Sequence, residues 1–319
     1  MPARKRRARR LPLLVAVLVV MALLGGCVPV TPRVVKIGLV APFEGRYREI
    51  GADVIPAVRL ALREWSAQNA AQSAAKGGRA LAFELVAYDD GGDPALAVEA
   101  ARRLAADPDV ELVIGHWRAD TTQAALEVYA EAGLPLVAFT PAPLDGPGEY
   151  YNLAAPEADL REAAGAWAEG QPGISLLFET GDVLEAVEAV SASPGEQVVC
   201  GPVCGLRQFA SLAGPRADDV AFVTGAALPA DSGLAGEQLK AFIAGYKEGS
   251  LGVEPGLYAT SAYEAAWFAM TLLAERHGYT LPGAPAAAVA IGEDGRRIDA
   301  PVMLYRWQNG ERMLVERLR

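Results

Sequence analysis

VELVIGHWRADTTQAALEVYAEAGLPLVAFTPAP, residues 110–143, decides the fold. It reads as a strand, a helix and a second strand, and both strands are apolar nearly throughout. Strands without polar alternation are those covered on both faces, as in a parallel sheet with helices on either side. Each strand runs into a loop carrying groups able to touch a ligand: Gly115-His116-Trp117-Arg118 after the first, Thr140-Pro141-Ala142 after the second. Open α/β sheets bind ligands beyond the carboxyl ends of their strands. The two loops are therefore expected to form half of a binding cleft.

Working outward, the same alternation recurs on both sides. A strand over 34–40 leads into the loop Ala41-Pro42-Phe43-Glu44-Gly45-Arg46-Tyr47 and then a helix over about 51–69, with Val54, Val58, Leu62 and Trp65 at helical spacing. A strand over 81–88 turns through Asp89-Asp90-Gly91-Gly92-Asp93-Pro94 into another helix. Asp93 is a natural N-cap there, with Pro94 at the first helical position, where a missing N–H costs nothing. The pattern resumes with a helix over 158–169, strands over 174–178, 197–200 and 220–224, and a helix over 182–191. Helices over 234–248 and 255–277 follow. The tail holds a strand over 302–308 and an Asn309-Gly310 hairpin turn. This predicts an α/β chain of two doubly wound parallel-sheet lobes with a cleft between them.

The chain has 319 residues, 52% of them hydrophobic, which is ample for such a core. Its formal charge is -10, and the 29 basic side chains fall to 23, against 39 acidic ones, once the six in residues 1–26 are set aside. A field of that sign repels phosphate backbones, so no nucleic-acid partner is expected. Among enzyme signatures there is no Gly-x-Ser-x-Gly elbow, no phosphate loop ending in Lys-Ser/Thr and no clustered nucleophile set, so no enzyme is predicted and no cofactor. The two histidines, His116 and His277, lie far apart with no zinc-ligand spacing, so no metal is expected.

The first residues, MPARKRRARR, lead into LPLLVAVLVVMALL and then Leu24-Gly25-Gly26-Cys27. The apolar run is short for a membrane span and suits an export signal. Leu24 to Cys27 resembles the lipobox of bacterial lipoproteins, which implies cleavage before Cys27, lipidation of its thiol and an extracytoplasmic protein tethered to the membrane. Residues 28–33, with Pro29 and Pro32, read as an extended linker.

Three further stretches carry a family resemblance: VKIGLVAPFEG near the start, AYDDGGDPALAVEAARRLAADPDVELVIGHW in the middle, and LKAFIAGYKEGSLGVEPGLYATSAYEAAWFAMTLLAERHG towards the end. Together with TTQAALEVYAEAGLPLVAF, DDVAFVTGAALPADSG and RWQNGE they resemble the leucine/isoleucine/valine-binding proteins, extracytoplasmic receptors of ABC importers with the type I periplasmic-binding-protein fold. The resemblance implies lobe 1 over 34–145, a shortened lobe 2 over 146–260, as if a strand-helix unit between Ser191 and Gln197 were absent, and a C-terminal helix and strands crossing between lobes over 261–319. It also implies a small-molecule ligand, an amino acid or carboxylate, delivered to an ABC permease by cleft closure. The alternative reading is a sensor or docking module that has lost amino-acid binding.

The departures from that family concern the ligand. Its serine and threonine, which hold an amino acid's ammonium and carboxylate, fall on Ala119 and Ala142, and its acidic partner for the ammonium falls on Val203. A zwitterion would have unpartnered charges there, at several kcal/mol each by order of magnitude. Around these positions Thr121 and Thr140 offer hydroxyls, though Thr121 serves equally as a helix cap. Trp117 either covers an apolar ligand or packs, and Arg118 either forks onto a ligand carboxylate or pairs with a neighbouring acid. His116 is expected behind the contact layer, and Tyr47 and Glu179 are expected to face the cleft from opposite lobes. Cys200 and Cys204 form either a disulfide or two buried thiols.

Overall fold

The computed structural model describes residues 33–76, 81–141, 146–169, 171–178, 181–279 and 289–319. The first lobe is built on a parallel sheet of five strands: β1 (Arg33–Ala41), β2 (Leu81–Asp89), β3 (Val110–Gly115), β4 (Leu136–Ala138) and β5 (Tyr150–Asn152), in the order β2-β1-β3-β4-β5. Its connections are α1 (Arg48–Lys76), α2 (Pro94–Ala105) and α3 (Ala119–Ala132). On one face Val40, Val110 and Val113 pack against Ala101 and Leu104 of α2 and Leu126 and Tyr129 of α3. On the other, Ile37, Leu39, Leu112 and Ile114 join Val54, Val58 and Trp65 of α1. Both faces are buried, which is why the strand letters do not alternate. Asp93 caps α2 as expected, its carboxylate accepting from the N–H groups of Ala95 and Leu96.

The second sheet has the order β10-β9-β8-β7-β6: β6 (Ile174–Leu177), β7 (Gln197–Cys200) and β8 (Val220–Thr224) run parallel, while β9 (Met303–Gln308) and β10 (Glu311–Arg317) are antiparallel. Around this sheet lie α4 (Glu157–Glu169), α5 (Val183–Ala192) and α6 (Arg207–Ala213). Asn309 and Gly310 turn β9 into β10 with φ of 51° and 77°, the left-handed pair a two-residue hairpin requires.

The sheets divide the chain at other points than expected. β5, in the span assigned to lobe 2, extends the first sheet beside β4, so lobe 1 runs past residue 145. Helices α7 (Gly236–Gly249) and α8 (Ala259–Arg276) return to lobe 1, where α8 packs on α1, β3 and β4, and Trp65 meets Trp267 at 6.0 Å between ring centroids. The physical cause is the sheet's second face. α8, buried along Ala262, Ala266, Met270 and Leu273, covers it beside α1. The terminal strands then complete the sheet of lobe 2 instead of spanning the lobes. The chain passes between lobes after β5, after β8 and after α8.

Candidate functional site

Each strand of the first sheet ends at the same edge, and the loops after β3 and β4 stand there side by side. Gly115 closes β3 with φ 145°, and a Cβ at that position would overlap the Val40 carbonyl oxygen, so only glycine lets the chain bend into the next loop so close to β1. His116 turns inward. It is fully buried, with Nδ1 2.7 Å from Asp90 Oδ2 and Nε2 3.0 Å from the Tyr129 hydroxyl, and its carbonyl accepts the Thr140 hydroxyl at 3.0 Å. Thr140 also donates to the Trp117 carbonyl at 2.9 Å, tying the two loops together.

Between the lobes lies a cavity of about 290 Å³. Lobe 1 lines it with Trp117, Arg118, Ala119, Asp120, Thr140 and Pro141. Lobe 2 faces them with Glu157, Phe178, Gly181, Gly201, Pro202 and Val203, and Tyr258, just before α8, joins the wall. The lobe 2 wall is held by a disulfide between Cys200 and Cys204, Cα atoms 6.0 Å apart, which closes the turn carrying Gly201, Pro202 and Val203. The Trp307 indole N–H donates to the Cys204 carbonyl at 2.7 Å and fixes the same turn to β9.

Arg118 does not hold its guanidinium free. Its Nε and Nη2 fork onto Asp120 at 2.9 and 2.7 Å, while Nη1 donates to the Tyr47 hydroxyl at 3.0 Å and, across the cleft, to the Gly181 carbonyl at 2.6 Å. The hydrogen bonds to Asp120 raise the arginine's pKa against the effect of burial. Burial alone would raise the Asp120 carboxyl, but Arg118 and the Thr121 N–H outweigh it and leave Asp120 below the ordinary carboxylate value. Of the two readings open for Arg118, pairing with a neighbouring acid is the arrangement found.

At the cleft mouth Tyr47 donates to Asp182 Oδ2 at 3.1 Å, and Arg46 reaches the same oxygen at 2.5 Å. Deeper in the hinge Glu49 pairs with Arg312 and accepts the Arg207 N–H at 2.7 Å, joining α1 to lobe 2. The geometry therefore brings together Trp117, Arg118, Ala119, Thr140 and Val203 in one cavity wall, with Tyr47 beside it. Thr121 is buried outside the wall, its hydroxyl donating to the Arg118 carbonyl at 2.9 Å. Ala142, Glu179 and Cys27 lie outside the described residues. Sequence reasoning passed over Asp120, Glu157, Phe178 and Tyr258. Asp120 sat inside the quoted stretch and was legible as Arg118's neighbour, whereas Tyr258 reaches the cleft only because α8 returns to lobe 1.

Among the described residues no group of three or more His, Cys, Asp or Glu side chains is placed to hold a metal ion, and no helix is long and apolar enough to cross a membrane. Two sheet-based lobes, linked by repeated passages of one chain, enclose a small cavity between them. Residues 34–178 match the family model described as periplasmic binding protein, and the chain as a whole shares the two-lobed α/β fold of solved type I periplasmic binding proteins. No curated protein sequence matches it. Among solved structures it is similar to the branched-chain amino acid transporter substrate-binding protein LivJ of Streptococcus pneumoniae in complex with isoleucine, at 15% identity over 89% of this chain and 99% of that one, TM-score 0.68. It is similar to the leucine binding protein LivK of Thermotoga maritima, at 16% identity over 89% and 98%, TM-score 0.68. A solute binding protein of an ABC transporter from R. palustris in complex with benzoate matches at 14% identity over 89% and 96%, TM-score 0.62.

Proposed function

We propose that this chain is an extracytoplasmic, lipid-anchored solute-binding receptor that closes on an amino acid or related small carboxylate and presents it to an ABC importer. The observation that carries this reading is the cavity of about 290 Å³ walled from both lobes, with Arg118 of one donating to the Gly181 carbonyl of the other. A cavity that exists only when two lobes meet couples occupancy to closure, and closure is a shape a membrane partner can read. Neighbours of the same fold, crystallised with isoleucine and with benzoate, support a small carboxylate as ligand. Anchoring rests on the Leu24 to Cys27 motif.

The test is thermal unfolding of the chain without residues 1–27 against a library of amino acids and carboxylates. A ligand at a hundred times its Kd adds about 2.7 kcal/mol, a readily measured rise in Tm, and a flat response across the library would refute the receptor. Mass spectrometry of the membrane fraction checks the anchor separately, since the N-terminal peptide should begin at a diacylglyceryl Cys27.

A second reading, a sensor or docking module on the same scaffold, is favoured by one observation: Ala119 and Val203 stand in the cavity wall where the family carries a hydroxyl and an acid. It predicts lobes that remain associated while no solute in the library raises Tm.

A further inference from the structure

Arg118 and Asp120 form, among the described residues, the one ion pair whose two members both stand in the cavity wall. Glu157, the third charged group there, pairs at 3.2 Å with Arg161, which lies outside the wall. The two edges of the Arg118 guanidinium have different partners. Nη1 is held by the Tyr47 hydroxyl and the Gly181 carbonyl, and the group lies over the Tyr47 ring at 5.4 Å, so its position is set without Asp120. Nε and Nη2 point at the Asp120 carboxylate at 2.9 and 2.7 Å, the two-point geometry with which an arginine takes any carboxylate. The acid also has a support of its own. Asp120 Oδ1 accepts the Thr121 N–H at 2.8 Å in the first turn of α3, where the helix dipole favours an anion. With side chains 18% and 45% exposed, the pair is weakly held and open to exchange.

Two opposite charges side by side are the complement of a zwitterion. An amino acid entering between them gives its carboxylate to the Nε and Nη2 edge of Arg118 and its ammonium to the oxygens that Asp120 releases. Every charge keeps a partner, so none is buried alone. A simple carboxylate gains the same edge of Arg118 but strands Asp120, with Glu157 already in the wall. A simple amine strands Arg118 instead. Ala119 and Val203, at the positions that hold the poles in the pattern the sequence resembles, carry no polar side-chain atom, and Trp117, Phe178 and Val203 leave apolar wall for the ligand's side chain.

We infer that Arg118 and Asp120 are the two poles of the site, and that a zwitterionic amino acid with an apolar side chain binds by exchanging partners with this pair. This deepens, and rests on, the receptor reading above. The test is titration calorimetry of the chain without residues 1–27, native and Asp120→Asn, against leucine and phenylalanine and against 4-methylpentanoate and 3-phenylpropanoate, which differ from them by the missing ammonium group. The native protein is expected to prefer each amino acid over its counterpart. Asp120→Asn keeps the shape of the side chain and removes its charge, so it should weaken the amino acids about tenfold and strengthen the simple carboxylates about threefold, since the competitor for Arg118 is gone. A gain for one class with a loss for the other is not what a damaged fold produces.

Shifts of both classes in the same direction, or no shift in either, would overturn the role of the pair and leave the receptor intact. A native protein that binds the simple carboxylates as tightly as the amino acids would overturn the zwitterion. If none of the four binds while another solute of the thermal-unfolding library raises Tm, the inference fails and the receptor stands; if no solute does, both fail.

Discussion

The phenol of Tyr47, in the loop after β1, donates to Asp182 Oδ2, the N-cap of α5, across 3.1 Å and from one lobe to the other. The same phenol accepts from Arg118 Nη1, and the same carboxylate accepts from Arg46. The pairs are partly exposed, Arg46 at 40% and Asp182 at 27% of side-chain area, so each is worth roughly 0.2–1 kcal/mol. Together they favour this arrangement of the lobes without locking it.

Removing this latch should open the lobes. Arg46→Ala with Tyr47→Phe is expected to shift the closed-to-open ratio about fivefold, by about 1 kcal/mol. Small-angle scattering should report a larger radius of gyration at low salt. Raising salt in the native protein should move it the same way, since screening weakens the Arg46 pair. Identical scattering curves for variant and native protein would mean that the hinge is set elsewhere.

A buried carboxylate at the hinge gives the fold a pH dependence of uncommon sign. Asp53 is 7% exposed, accepts the Tyr258 N–H at 3.2 Å, and packs so closely on Gly256 that a Cβ there would overlap both its oxygens. Burial, reinforced by Glu49 and opposed by Arg312 and the backbone N–H groups, pushes its pKa up to about 7. The folded state therefore holds a proton that the unfolded chain releases near pH 4. Its contribution is complete below pH 4 and is lost as pH rises through 7, on the order of a few kcal/mol. Asp107, Asp120 and Asp182 are shifted downward and stay ionised throughout that upper range. Urea unfolding at pH 5 and pH 8 should show Asp53→Asn losing less stability than the native protein, and equal losses would contradict this.

The disulfide should matter to stability and to the cavity together. Cys200 and Cys204 close a loop of five residues, for which the chain-entropy account gives about 2 kcal/mol. Cys200→Ser with Cys204→Ser should lower Tm accordingly and weaken ligand binding, because Gly201, Pro202 and Val203 lose their fixed turn. Reductant should reproduce the effect in the native protein only. Equal Tm for oxidised and reduced protein would count against it.

Much of this architecture was legible because its signals in the sequence are local. Apolar strands such as VELVIG, the Asp93-Pro94 cap and the Asn309-Gly310 turn each announce themselves within a few residues. The sites of passage between lobes were not legible. Tyr150–Asn152 is a three-residue strand whose letters carry no periodic signal, and its membership of the first sheet depends on pairing with β4. The same limit explains the site. Trp117, Arg118 and Thr140 follow directly from strand ends, whereas Phe178 and Tyr258 enter the wall through the meeting of two lobes and the return of α8. Arg118's engagement with Asp120 turns on a side-chain conformation, which spacing does not specify.

The cavity's departure from the leucine/isoleucine/valine-binding pattern that the sequence resembles is itself testable by reversal. If Val203 occupies the ammonium pole, Val203→Glu should by itself lower the ligand-free Tm, costing roughly 3–5 kcal/mol of stability, since the side chain is 4% exposed and Arg118, the cation in the same wall, is already engaged by Asp120. Adding Ala119→Ser restores a hydroxyl at the wall beside the start of α3. The double variant should then bind leucine at least tenfold more tightly than the native protein, and saturating leucine should recover the Tm lost to the buried acid, because the ammonium supplies the missing charge. Calorimetry and thermal unfolding read the two effects independently. A double variant that loses Tm but gains no leucine affinity would show that Val203 does not face the ammonium, and that the ligand's poles lie along a different line through the cavity.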